Sequence, residues 1–183
     1  IKTTHKTKKN NSTLKEQEYN KQILSNNQAG FIKHRNTIHQ ISTLVAALED
    51  AKWHNSNIYA LVVDFTSAFN TTDHDKLLMV MYDLGFPTDA IDVVKDLYTG
   101  ATTAIRTPLG TTRPIPVERG TIQGDSLSPF LFLIFIEPLL RWLHVGGRGY
   151  QPQCLPEGDT RLHNAVSSSS FADDLLALTN TLS

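Results

Sequence analysis

Two adjacent carboxylates, Asp173 and Asp174, lie inside an otherwise apolar stretch of the chain. Like charges this close repel each other, and the repulsion grows as water is removed. A third acid, Asp64, directly follows a strand-forming apolar run at 58–63. Divalent cations relieve such repulsion, and two metals held about 3.5–4 Å apart catalyse phosphoryl transfer. The three acids therefore indicate a candidate two-metal site, although paired aspartates are also common in solvated turns.

Hydrophobic spacing predicts the elements that must carry these acids. Helices are expected from residue 37 to about 54, from 72 to 84, from 88 to 99, and over 127–143, with Thr37 and Thr72 as N-caps. The last helix is interrupted by Glu137, Pro138 and Arg141, which favours a buried helix over a membrane span. The expected strands lie at 58–63, buried, then at 102–106 and 113–117 as a hairpin, and at 167–171 and 175–178.

Four segments of the sequence carry a further signal, and together they span residues 28–174, which is most of the chain. They are Gln28-Ala29-Gly30-Phe31 with Arg35-Asn36-Thr37, Asp64-Phe65-Thr66-Ser67-Ala68-Phe69 with Thr72-Asp73-His74, residues 120–132, and Phe171-Ala172-Asp173-Asp174. In this order they resemble the fingers motif and motifs A, B and C of reverse transcriptases, with the closest likeness to the non-LTR retrotransposon class. A lone pair of aspartates would be a weak signal, whereas four ordered motifs are specific.

The resemblance implies an α+β fold of the polymerase palm type: a small antiparallel sheet with helices packed on one face, plus partial fingers. It implies RNA-directed DNA polymerase activity, with an RNA template, a DNA primer, deoxynucleotides and two Mg²⁺ ions, or Mn²⁺ in their place. Residues 28–183 would form the partial fingers and palm domain, and residues 1–27 a polar, basic, poorly ordered segment. The thumb and nuclease of the parent polyprotein would lie outside the chain, so we expect a fragment. The family likeness also implies an intracellular, nuclear protein.

The same resemblance assigns roles to individual residues. Asp64, Asp173 and Asp174 would be the catalytic acids that hold the metals, with Asp174 the third acid, near the primer end. The Phe65 carbonyl would join the metal shell beside the incoming nucleotide. Phe69 would lie under the sugar of the incoming nucleotide and leave no room for a 2′-hydroxyl. The nucleotide and the template would also be contacted by Gln123, Gly124 and Arg35.

Departures from the family pattern fall mainly in the fingers motif. His34 stands where relatives often carry glycine, and Ile32 where they often carry arginine. Asn70 replaces an acid that is not one of the metal ligands. We therefore expect these departures to affect the grip on template and nucleotide more than metal binding.

Composition is that of a globular chain of about one domain, with 183 residues, 40% hydrophobic and 19% charged. The net charge of −1 hides an asymmetry, because residues 1–35 carry +6 and the remainder −7. A basic arm of this kind either contacts nucleic-acid backbone or is simply solvated. The single cysteine, Cys154, excludes an internal disulfide framework and a cysteine-based zinc site.

Two other functions stay open at this point. The chain could be a catalytically incompetent retroelement remnant that at most binds nucleic acid through its basic arm. It could also be another palm-type enzyme, such as a nucleotide cyclase, which uses paired acids and metals but lacks the motif B and fingers segments. Primer extension on an RNA template separates a polymerase from a remnant, which would show only salt-sensitive binding.

Overall fold

The computed structural model describes residues 23–122, 124–145, 149–153 and 165–181. Within these ranges helices and short antiparallel strands are mixed, which confirms the predicted α+β class. The elements are α1 (Thr37–Trp53), β1 (Tyr59–Val63), a 3-10 turn (Ala68–Thr71), α2 (His74–Asp83), α3 (Thr88–Tyr98), β2 (Thr102–Thr103), β3 (Arg106–Thr107), β4 (Gly110–Thr111), β5 (Ile115–Pro116), α4 (Ser128–His144), β6 (Ser168–Phe171) and β7 (Asp174–Thr179).

The central sheet is antiparallel and has the strand order β1-β7-β6. The pairing of β1 with β7 runs as far as Val63 opposite Leu175. β6 pairs with β7 as far as Phe171 opposite Asp174, so that a two-residue turn joins them. The predicted strands around the acids are therefore confirmed, and Asp173 lies at the tip of a tight hairpin. The expected hairpin over 102–117 also forms, with β2 paired to β5 and β3 to β4.

Helices α2, α3 and α4 form one layer beside this sheet. The apolar run of α4 is the centre of the layer, and burying each large side chain contributes about 1.5–3 kcal/mol. Its Phe132 and Leu140 pack against Leu175 of β7. Between the three helices the buried side chains are Leu77, Met81, Val94, Tyr98, Leu131 and Ile134. No helix in the described parts of the chain is long and apolar enough to cross a membrane.

Helix α1 contacts the opposite side of β7, which corrects the expectation that all helices pack on one face. Leu178 packs with Ala47 and Ala51 of α1, whereas Leu175 packs with α4. Residues three apart in a strand point to opposite faces, so the two helices cover different sides. The small side chains of Ala47 and Ala51 allow α1 to approach closely.

The apolar stripe that predicts α1 is largely exposed. Ile38, Ile41, Val45 and Leu48 all face solvent in the described structure. Strand β1 is exposed as well, although its apolar run predicts a buried strand. It lies at an edge of the described sheet, which leaves Leu61 and Val62 with 62% and 76% of their surface accessible.

Both predicted N-caps are displaced by one residue. Asn36, not Thr37, caps α1 through its side-chain oxygen. Asp73, not Thr72, caps α2 by accepting a hydrogen bond of 3.1 Å from the Lys76 backbone N–H. That hydrogen bond holds the pKa of the Asp73 carboxyl below its usual value. Thr72 is instead fully buried before the helix.

The packed structure starts before the predicted domain boundary at residue 28. Ser25 is buried, and its backbone N–H donates to both carboxylate oxygens of Glu137 at 3.0 Å. Asn27 donates to the hydroxyls of Ser167 and Ser168 at 3.3 and 3.0 Å. The predicted basic arm, apart from residues 23–27, lies outside the described residues, and its order stays a prediction.

Candidate active site

The backbone carries the three acids to the same end of the central sheet. Asp64 follows β1 directly, and continuing the β1–β7 register by one residue sets it opposite Asp174. Residues directly opposite in an antiparallel pair have Cα atoms about 4.5–5.5 Å apart. Asp173 occupies the neighbouring hairpin turn. Two stretches far apart in sequence thus deliver carboxylates to the same strand ends.

The chemistry of this donor set fits Mg²⁺, although its side chains are not gathered into a cage. Within the described ranges, no three acidic, histidine or cysteine side chains are placed to hold a metal ion together. Mg²⁺ uses oxygen ligands and is often held by only one or two carboxylates plus substrate phosphates. Asp64 and Asp174 are exposed and Asp173 is half-buried, so the carboxylates are accessible to such a complex.

The two phenylalanines of motif A are anchored in the core beside Asp64. Phe65 packs against the cluster around α4, which fixes the backbone that carries its carbonyl. The Phe69 ring lies in the 3-10 turn, with its centroid 4.7 Å from that of Phe132 and 6.4 Å from that of Phe31. The ring is therefore held in a fixed place at the site, and its contact with a nucleotide sugar stays a prediction.

The motif B loop is hydrogen-bonded to the turn that follows Asp64. The Gly120 N–H donates to the Thr72 carbonyl at 2.8 Å, and the Thr121 N–H donates to the Phe69 carbonyl at 2.9 Å. His74 Nε2 lies 2.8 Å from the Gly120 carbonyl oxygen and must be the protonated nitrogen, because a carbonyl only accepts. Sequence reasoning gave His74 no role, although it belongs to the motif A match.

We expect Gly120→Ala to destabilise the protein more than Gly124→Ala. Both glycines have a left-handed backbone, with φ of +89° and +87°. Both substitutions therefore carry a similar conformational cost of about 1–2 kcal/mol. Only at Gly120 would the new Cβ collide with backbone, 2.9 Å from Asn70 Cα, whereas at Gly124 nothing lies within 4 Å.

Urea denaturation of the two variants measures this difference directly, because Gly124→Ala serves as the matched control for the conformational cost. The additional steric cost at Gly120 is expected to be about 1–3 kcal/mol. Equal destabilisation would contradict the tight packing of the motif B loop on motif A. The open space at Gly124 is also compatible with its predicted place in a nucleotide pocket, while Gln123 lies outside the described residues.

Arg35, predicted to contact template, is engaged by its own loop. Its Nη1 donates to the carbonyls of Ser25 and Gln28 at 2.6 and 2.7 Å, and Nη2 donates to Asn26 Oδ1 at 2.9 Å. The guanidinium thus organises residues 25–28, and a template contact stays a prediction. The neighbouring His34 has a φ of +65°, a conformation that glycine adopts most easily.

Gln28 is a second residue to which sequence reasoning gave no separate role. Its side chain is fully buried and hydrogen-bonds to the hairpin that carries Asp173. The only sequence signal is the following Ala29-Gly30, small residues that permit close backbone approach. Periodicity and composition could not reveal this contact, because it joins residues 144 positions apart.

Comparison with known proteins identifies relatives along almost the whole chain. A family model described as "Reverse transcriptase (RNA-dependent DNA polymerase)" matches residues 2–183. The chain is 29% identical over 142 residues to a Pol polyprotein of the type-1 retrotransposable element R2 from Bradysia coprophila, covering 78% of this chain and 15% of that one. It is 34% identical over 118 residues to an R2 polyprotein from Popillia japonica, covering 63% of this chain and 15% of that one.

A solved structure with the same fold is that of apo telomerase from Candida tropicalis, truncated from its C-terminal domain. It superposes with a TM-score of 0.58 at 12% identity, covering 85% of this chain and 30% of that one. At this identity the likeness concerns the fold alone, and it confirms the predicted palm-type architecture. The chain spans only about 15% of the length of the R2 polyproteins that it matches.

Proposed function

This chain belongs to the reverse transcriptase (RNA-dependent DNA polymerase) family, and from that membership we propose that it is the fingers and palm part of an enzyme that extends a DNA 3′ end by copying RNA. Its similarity to R2 Pol polyproteins confirms the predicted likeness to retrotransposon enzymes of the non-LTR class. The observation that supports the proposal most directly is the β1–β7 register, which brings the strand end at Asp64 beside the hairpin of Asp173 and Asp174.

In this proposal the ligands of two divalent ions are Asp64, Asp173 and the Phe65 carbonyl, with Asp174 beside them. Enzymes of this family generally use divalent metal ions, and we propose Mg²⁺, or Mn²⁺ in its place. When bound, such ions activate an attacking hydroxyl and stabilise the charge on the leaving oxygens. The protein itself positions the reacting groups, because phosphoryl transfer is catalysed mainly by orientation and electrostatics.

The remaining residues of the site would recognise the substrates. The anchored Phe69 ring would exclude a ribose 2′-hydroxyl, and Gly124 would allow the nucleotide to approach the backbone. We propose an RNA template and a DNA primer as partners, with thumb and nuclease segments of a parent polyprotein completing the enzyme. By the same likeness we propose a nuclear location.

Primer extension tests the proposal. The protein, expressed as its complete open reading frame, is incubated with an annealed RNA template and DNA primer, deoxynucleotides and Mg²⁺. We expect DNA products whose sequence is complementary to the template and whose formation stops when the template or Mg²⁺ is omitted. Salt-sensitive binding of the template and primer without any extension would overturn the proposal and favour a catalytically incompetent remnant.

A further inference from the structure

We propose that Gln28 is a positioning residue for the aspartate hairpin: its side-chain amide holds the backbone of Ala172 and thereby fixes where Asp173 stands. The inference rests on the proposed function, because it concerns the same acids. Its observations are nevertheless separate, since they involve a fully buried side chain that contacts neither acid's carboxylate.

The amide of Gln28 uses its full hydrogen-bonding capacity on two short segments. Nε2 donates to the Ser170 hydroxyl at 2.7 Å and to the Ala172 carbonyl at 3.1 Å. Oε1 accepts from the Ala172 N–H at 2.9 Å and from the Gly30 N–H at 2.7 Å. A glutamine offers two donors and two acceptor sites, so every one is occupied. Both backbone polar groups of Ala172 are therefore bound by a single side chain.

Ala172 needs such support because its backbone is in an unfavourable conformation. Its φ is +56°, a region that residues with a Cβ avoid and that glycine adopts freely. Ala172 is the first of the two residues that join β6 to β7, and Asp173 is the second. A change of φ at Ala172 would therefore redirect the peptide that carries Asp173. Hydrogen bonds at both backbone groups of Ala172 oppose that change.

The segment that carries Gln28 is itself fixed from three sides. Next to Gln28, the Ala29 N–H donates to the Ser170 carbonyl at 2.9 Å, which runs this segment alongside β6. The Arg35 guanidinium holds the Gln28 carbonyl, and Glu137 of α4 holds the Ser25 N–H. The backbone around Gln28 is thus held by the Arg35 side chain and by Glu137 of α4.

Gly30 shows how closely this segment approaches the turn. A Cβ at Gly30 would lie 2.3 Å from the Ala172 backbone nitrogen and 2.8 Å from its Cα. No side chain could be accommodated there without moving the backbone of one partner. The fingers segment and the aspartate hairpin therefore form one packed unit, and the position of the hairpin tip depends on the fingers residues.

The test compares Gln28→Met with Gln40→Met in the complete open reading frame. Methionine has a similar length but can neither donate to Ala172 nor accept from it. Gln40 is the matched control because its amide contacts the Ser169 hydroxyl on the same strand and the Asn27 carbonyl beside Gln28, but not the turn. For Gln28→Met we expect kcat for primer extension to fall by about 10²-fold, the effect of a displacement of about 1 Å at a reacting group.

Three further readouts separate positioning from a general loss of structure. The Mg²⁺ concentration for half-maximal extension should rise at least severalfold, while the KM for the template–primer duplex stays near that of the unaltered protein. Amide exchange in the peptide spanning 168–176, followed by mass spectrometry, should accelerate by about tenfold, as expected for the loss of a hydrogen bond. Gln40→Met should leave all of these quantities near those of the unaltered protein, because the partly buried hydrogen bonds of Gln40 do not reach Ala172 or Asp173.

A rescue variant makes the test decisive. Adding Ala172→Gly to Gln28→Met supplies a residue that adopts the positive φ without help, so it should restore at least part of the lost kcat. Restored thermal stability without restored kcat would overturn the proposal, as would unchanged amide exchange in Gln28→Met. If the single variant Gln28→Met does not fold, kcat and amide exchange are compared between the double variant and Ala172→Gly instead. Absence of extension by the unaltered protein would reject the proposed function, and the exchange measurement would still decide whether Gln28 holds the turn.

Discussion

Asp173→Asn in the complete open reading frame is expected to reduce primer extension by at least about 10³-fold, because a metal-held carboxylate supplies several kcal/mol of charge stabilisation. Asp64→Asn should have an effect of the same order. Asparagine keeps the shape of the side chain but loses the charge that binds a divalent ion. Steady-state extension rates on an RNA template, measured at saturating Mg²⁺, give the activity of each variant relative to the unaltered protein.

The fold should survive both substitutions. Asp64 is exposed and Asp173 is half-buried in a turn, and surface substitutions of this kind usually change stability by about 0.5 kcal/mol or less. Removing one of several neighbouring like charges also relieves repulsion. Thermal melting should therefore stay close to that of the unaltered protein, which separates a chemical defect from an unfolded one.

Asp96→Asn is the matched control, since the same chemical change is made at an exposed position of α3. It should leave the extension rate unchanged. Activity within tenfold of the unaltered enzyme in Asp173→Asn would contradict the assignment of the metal ligands. Including Asp174→Asn is informative as well, because continuing the β1–β7 register by one residue sets Asp174, rather than Asp173, opposite Asp64.

The structure shows which parts of this fold can be predicted from local sequence. Strand and helix periodicity located β1, α3 and α4 to within a few residues, because those patterns record the direction of successive side chains. Burial could not be predicted in the same way. The apolar runs of β1 and α1 predict buried surfaces, yet Leu61, Val62 and Ile38 are exposed, since a pattern does not say what covers it.

The candidate site also has parts that local sequence predicts and parts that it does not. The acids could be located because an acid at the end of an apolar run is a local signal, and the motif order added specificity. The contacts that hold these acids in place could not be predicted, because they join residues that are distant in sequence. Gln28 bonds to Ala172, and His74 to the carbonyl of Gly120. Arg35 illustrates the reverse case, where a residue expected to contact a ligand braces its own loop.

A large stability effect is expected for Arg141→Leu, which would leave the Glu137 carboxylate buried without its cation. Glu137 has no accessible surface, and its Oε1 accepts from Arg141 Nε at 2.8 Å. Breaking a buried ion pair by removing one partner costs about 3–5 kcal/mol. We expect the lower end of that range, because 24% of the Arg141 side chain is accessible to solvent.

Removing the charge of Glu137 should lower the free energy of unfolding by less than removing Arg141. In Glu137→Gln the amide oxygen still accepts a hydrogen bond, and Arg141 can turn its partly exposed guanidinium towards water, so a loss of about 1 kcal/mol is expected. Urea denaturation of this chain measures both values, with Arg113→Leu at an exposed position as the control for removal of an arginine. If Glu137→Gln proved as destabilising as Arg141→Leu, the unpaired buried carboxylate would not be the source of the effect. The same carboxylate accepts a hydrogen bond from the Ser25 backbone N–H, so Arg141→Leu should also loosen the segment that carries Gln28. Because Gln28 binds the turn before Asp173, the substitution in α4 should weaken the support of the aspartate hairpin.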